Sequence, residues 1–115
     1  MKMERKPLPQ VRTELFIDGK WDDGSKERKA VINPATGEEI AQVAQGDKAD
    51  TERAIAAAKR AFPVWSGREL ADRVEILHKI ADLMEEKADH LALIMTIEQG
   101  KPLTESKAEI KTNVD

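Results

Sequence analysis

The apolar residues of this chain change period at Asp47, and that change limits the fold more than any other feature. Before it, apolar residues come in short β-prone runs separated by glycine, proline and asparagine. After it, they recur about every 3.6 residues to the end of the chain. The pattern predicts an α+β arrangement: a small antiparallel β meander in the first 45 residues, then three to four helices.

The strand half is written by two turns. In Leu15-Phe16-Ile17-Asp18-Gly19-Lys20-Trp21, Asp-Gly stands between β-prone stretches. A type I′ hairpin turn needs positive φ at both central residues, which Asp-Gly tolerates. In Val31-Ile32-Asn33-Pro34-Ala35-Thr36-Gly37-Glu38, Asn33 can bond its own backbone two residues on. Pro34 presets φ and Gly37 takes the strained position, with strand residues again expected over Ile40 to Val43. Residues 1–13, which carry Pro7 and Pro9, are expected to form a flexible tail, and 14–115 the structured part.

The helical half opens at Asp47 or Asp50 as N-cap. Ala54, Ile55, Ala58, Ala61 and Phe62 make one apolar face whose small alanines predict close packing, and Pro63 is expected to end the helix. A second helix is predicted from about Leu70 to Lys87, with one apolar stripe through Val74, Leu77, Ala81 and Met84 and a second through Ile76, Ile80 and Leu83. A third, about Asp89 to Gln99, is apolar around most of its circumference and needs cover on several sides. Gly100 reads as its C′ glycine, and Pro102 as N1 of a fourth helix. The pattern of that fourth helix is still running at Asp115, so the chain is expected to stop inside an element.

Composition mostly excludes. There is no cysteine, hence no disulfide, no thiolate metal site and no cysteine nucleophile. The formal net charge of −3 argues against a general nucleic-acid binder. There is no apolar run long enough to span a membrane and no apolar stretch of a secretory signal, so a cytoplasmic protein is expected. No two glycines are two apart, so neither a dinucleotide fingerprint nor a phosphate loop is written. His78 and His90, twelve apart, have the wrong spacing for a zinc pair on one helix turn. The basic clusters Lys26-Glu27-Arg28-Lys29 and Lys59-Arg60 are interleaved with acids and read as solvated surface. No catalytic and no cofactor-binding residue is assigned.

The order of motifs carries more than any one of them. The Leu15–Trp21 hairpin and the Asn33–Glu38 turn are followed by the alanine-rich helix ending Ala61-Phe62-Pro63-Val64-Trp65. Arg73 then leads into Ala81-Asp82-Leu83, and Glu98-Gln99-Gly100-Lys101-Pro102-Leu103 follows. This succession resembles the amino-terminal part of the NAD(P)-dependent aldehyde dehydrogenase superfamily, from about residue 14 to the end, which implies that residues 14–115 are the first portion of the family's cofactor-binding domain and part of its α/β fold. The stretch from Ile94 to Glu105 is most similar to the succinate-semialdehyde dehydrogenase group. The resemblance implies a parent that oxidises an aldehyde, succinate semialdehyde or similar, to the acid with NAD or NADP. A cysteine thiolate, a glutamate base and oxyanion donors do the chemistry there. All of these lie beyond the segment this chain resembles. The chain alone is therefore expected to be inactive and to bind no cofactor. Its expected partners are the remainder of the enzyme or further copies of itself, and the parent is expected to be a homo-oligomer.

The resemblance also implies part of a structural monovalent-cation site: the carbonyls of Val31 and Ile32, and the carboxylate of Glu98. Oxygen donors suit a hard cation. The remaining ligand comes from later chain, so the site would be incomplete here, and a solvated last-turn carboxylate is the simpler reading of Glu98. The alternative function is a free-standing helical oligomerisation or interaction module derived from the same family.

Overall fold

The computed structural model describes residues 10–115. Four strands precede four helices: β1 (Leu15–Ile17), β2 (Lys20–Asp22), β3 (Lys29–Ile32), β4 (Glu39–Val43), α1 (Lys48–Ser66), α2 (Leu70–Glu86), α3 (Ala88–Gln99) and α4 (Leu103–Val114). The α+β division at Asp47 is as the periodicity requires. The tail expected over 1–13 lies outside the described residues as far as residue 9.

Both turns form. Asp18 and Gly19 take φ of 54° and 74°, as a type I′ turn demands, and pair Phe16 with Trp21 across β1 and β2. Their rings lie 4.7 Å apart and tilted, with the Arg12 guanidinium 4.9 Å from the Trp21 ring centre. In the second turn the Asn33 side chain accepts from the Ala35 amide (2.9 Å), and its carbonyl accepts from Gly37 (2.8 Å). The β3–β4 register shifts between Val31 and Ile32.

The meander, however, is two separate antiparallel hairpins. The linker from Asp22 to Arg28 is engaged elsewhere and cannot lay β3 beside β2. Ser25 bonds to the start of α1, and Arg28 donates to the Thr13 hydroxyl and the Gln42 carbonyl, both at 2.8 Å. The Thr13 carbonyl in turn accepts from the Ala44 amide.

Helix α1 corrects a second expectation, because it runs through Pro63 to Ser66. Proline removes its own donor and crowds the preceding turn, but its carbonyl still accepts, here from the Gly67 amide at 3.0 Å. Helices α2 and α3 meet at Lys87, which ends one and begins the other. Gly100 ends α3 at φ 78°, and Pro102 is the N-cap of α4, one position before the N1 place expected for it.

Helices α3 and α4 pack as a hairpin, with α2 against α4. Between them lie the buried Ala92, Ser106 and Ile110, and the hydroxyls of Thr96 and Ser106 bond at 2.8 Å. Apart from Ala44, no other apolar residue is fully buried among the described residues. Ile55, Phe62, Val64, Leu70, Leu77 and Leu83 are all more than half exposed. The chain exposes 9301 Å², about half as much again as the roughly 6,300 Å² of a folded monomer of this mass. Its radius of gyration is 17.5 Å, against about 13 Å for a compact domain of this length.

Candidate functional site

Three local arrangements concentrate the polar and concave features of the chain. The first is the N-terminus of α1. Asp47 accepts from the Asp50 amide (2.8 Å), and Asp50 accepts from the Asp47 amide (3.1 Å), a reciprocal capping box. Ser25 crosses from the linker to both carboxylates, and Arg53 ties Asp50 (2.9 Å) to Asp22 (3.3 Å). Asp50 is almost fully buried. The Arg53 guanidinium first, then the Asp47 amide and the Ser25 donors, hold its carboxyl well below the usual carboxylate range. Gly24 closes the arrangement. Its φ is 67°, and a Cβ there would stand 2.7 Å from the Gln45 carbonyl oxygen. The Asp47, Asp50 and Ser25 side chains are bonded to one another and to the adjoining backbone, so the cluster is a structural clasp.

The second is an open groove of about 350 Å³ between the β1–β2 turn and the alanine face of α1. Ala54, Ala57, Ala58 and Ala61 line one wall, and Phe16, Ile17 and the Asp18-Gly19 turn the other. Arg60 reaches from α1 to Asp18 (3.3 Å). The alanines therefore face a hairpin across a gap rather than a closely packed helix.

The third joins the two halves of the chain. A Cβ on Gly100 would approach Pro34 to 3.0 Å, so the Asn33-Pro34 turn sits against the end of α3. Val31 and Ile32 lie at the bulged end of β3, just before that turn, and Glu98 is an exposed residue in the last turn of α3. Val31, Ile32 and Glu98 are thus on adjoining elements, on either side of the Pro34–Gly100 contact. Among the described residues no three His, Cys, Asp or Glu side chains gather as a metal cluster.

The start of α1 is filled by the side chains of Asp47, Asp50 and Ser25. Among the described residues no helix is long and apolar enough to cross a membrane.

What the helices, turns and groove cannot assemble alone is explained by what the chain matches. The aldehyde dehydrogenase family model matches residues 21–115. The chain belongs to the aldehyde dehydrogenase family. It is 43% identical over 109 residues to the glutarate-semialdehyde dehydrogenase of Pseudomonas aeruginosa, covering 94% of this chain and 23% of that one. It is 44% identical over 98 residues to the N-succinylglutamate 5-semialdehyde dehydrogenase of Burkholderia mallei, covering 85% and 20%. Among solved structures it resembles a succinate-semialdehyde dehydrogenase from Burkholderia pseudomallei, with a TM-score of 0.87 and 39% identity over 90% of this chain and 22% of that one. A betaine aldehyde dehydrogenase from Staphylococcus aureus in complex with NAD+ gives 0.86 and 37%, over 90% and 21%. The chain thus spans about a fifth to a quarter of the length of the aldehyde dehydrogenases it matches.

Three contributors were not legible as such. Arg28 reads as a surface charge but staples the two hairpins; Ser25 and Gly24 read as loop but clasp α1. Arg53, three residues after Asp50, carried a readable signal in its i, i+3 spacing.

Proposed function

We propose that this chain is the amino-terminal segment of an NAD(P)-dependent aldehyde dehydrogenase that oxidises a semialdehyde, succinate semialdehyde or a similar carboxylate-bearing aldehyde, and that it is inactive by itself. The observation that carries the reading is the family match over residues 21–115, on a fold that follows 22% of a succinate-semialdehyde dehydrogenase. The absence of any cysteine supports the inactivity, because the family's attack on the aldehyde needs a thiolate. The segment's part is then to build one side of the scaffold. The nicotinamide cofactor belongs to another part of the enzyme. The Val31 and Ile32 carbonyls and Glu98 are proposed to supply part of a monovalent-cation site that another segment completes. The parent is proposed to be a cytoplasmic homo-oligomer. The relatives named above are dehydrogenases over this same stretch and lend no support to a free-standing oligomerisation module.

The test is complementation. The purified chain, given succinate semialdehyde and NAD+ or NADP+, should reduce no nicotinamide. Mixed with the polypeptide that follows the matched segment of the P. aeruginosa glutarate-semialdehyde dehydrogenase, it should yield thiol-dependent turnover. Turnover by the chain alone would refute the inactivity. A mixture that binds but stays silent with succinate and glutarate semialdehydes would refute the assigned reaction.

A further inference from the structure

Two of the six glycines follow an aspartate, Gly19 after Asp18 and Gly24 after Asp23. Among aspartyl pairs, aspartyl-glycine is the one at which a chain most readily reacts with itself. The glycine amide nitrogen bonds to the aspartate Cγ. A carboxyl oxygen leaves as water, carrying the amide proton and one more from the acid or the solvent. The product is a five-membered imide. Water then opens it at either carbonyl: one cleavage restores the aspartate, the other leaves the main chain running through Cγ as isoaspartate. No oxidant or reductant is needed. Glycine matters because it has no Cβ to crowd the ring.

Sequence gives the two pairs equal standing, and so does exposure, since the Asp18 and Asp23 side chains are 67% and 77% exposed. The surroundings separate them. The attacking nitrogen of Gly24 is engaged, donating to Asp22 Oδ1 at 2.9 Å. Gly24 is pressed so closely on Gln45 that a Cβ would stand 2.7 Å from its carbonyl oxygen. Asp23 is held by Arg28 at 2.5 Å, which is fixed in turn to the Thr13 hydroxyl and the Gln42 carbonyl. At Asp18 these restraints are missing. The Gly19 amide lies outside the β1–β2 ladder, whose last pair is Ile17–Lys20, and it donates to no acceptor among the described residues. A Cβ on Gly19 would meet nothing within 4 Å. Asp18 pairs with Arg60 at 3.3 Å, but both side chains are two-thirds exposed, and such a pair restrains little. The hairpin is two strands of three residues joined to no larger sheet, so it opens easily.

We propose that Asp18–Gly19 is a self-modification site, converting to isoaspartate in the folded chain, and that the surroundings of Asp23–Gly24 protect it. The conversion is not silent. A type I′ turn has room for two α-linked residues. The β-linkage adds a main-chain carbon between Ile17 and Lys20, so the Phe16–Trp21 register and the Asp18–Arg60 pair are lost with the turn. Asp18 and Gly19 also line the groove against the alanine face of α1, and that wall moves with them. None of this depends on the family-segment reading.

The test holds the purified full chain at neutral pH and body temperature and samples it over weeks. Trypsin places the two pairs on separate peptides, residues 13–20 and 21–26. Mass spectrometry with electron-transfer fragmentation then locates isoaspartate in each. It should accumulate at Asp18 roughly tenfold faster than at Asp23, the margin of one charge-assisted donor bond. In denaturing guanidinium chloride the two rates should converge. Asp22→Ala, which removes the acceptor of the Gly24 amide, should raise the rate at Asp23 and leave Asp18 unchanged. Equal rates in the folded chain, a faster Asp23, or isoaspartate at neither site while the unfolded chain forms it would each overturn the proposal. So would an Asp23 rate that D22A leaves unmoved.

Discussion

Alanine at Gly24 puts two separable costs on one methyl group. The first is conformational: φ is +67°, and an L-residue held in the left-handed region costs about 1 kcal/mol or slightly more. The second is steric. The new Cβ would lie 2.7 Å from the Gln45 carbonyl oxygen and 2.9 Å from a Leu15 methyl. Backbone must move to relieve the first of these, at a further cost of about 1–3 kcal/mol. Gly37 is the internal control, because its φ is +73° and a Cβ there meets nothing within 4 Å. Gly37→Ala should therefore cost only the conformational part, about 1 kcal/mol. Gly24→Ala should cost about 2–4 kcal/mol in all. Equilibrium urea unfolding followed by circular dichroism measures both, with the far-UV signal reporting α1 and the m-value checking that the unfolded states match. Equal destabilisation by the two alanines would refute the reasoning, since it would mean that the 22–25 linker does not lie against Gln45.

Two further predictions concern α1. Because Asp50 has its carboxyl pKa depressed in the folded state, its contribution is present above the unfolded carboxylate pKa and is lost as pH falls through that range toward the folded value. Acid titration of the wild type should show this loss below about pH 4, and Asp50→Asn should flatten it while lowering stability at neutral pH; an unchanged acid limb would contradict the Arg53 pairing. Pro63→Ala should raise helical content and stabilise the chain by about 1–3 kcal/mol, because an exposed interior proline loses a backbone bond that alanine restores; a destabilised variant would show that Pro63 is needed where it stands.

The elements legible from sequence are those whose causes lie within a few residues. Asp18-Gly19 needs only its own backbone freedom, Asn33 only the amide of Ala35, and the Asp47–Asp50 box only one helical turn. What was not legible depends on distance along the chain. Ser25 reaches Asp50 across 25 residues, and Arg28 reaches Thr13 across 15. No local pattern says that a loop serine will choose a helix cap over a strand partner, so one continuous meander was the natural expectation. Pro63 shows the converse: a strong local stop overruled by a helix that could still bond around it. The Asn33–Gly37 turn and the Gly100 helix end were each readable, and the Pro34–Gly100 contact that brings them together was not.

The clasp at α1 also has a direction in time. Synthesis runs from the amino terminus, so Asp22, Gly24 and Ser25 leave the ribosome before Asp47 and Asp50 do. When the first turn of α1 forms, the linker that seals it is already waiting. The helix is then tethered at the moment of nucleation, the costly step for any isolated helix. The groups that seal the start of α1 are thus drawn from chain already synthesised, and none has to wait for the helices that follow.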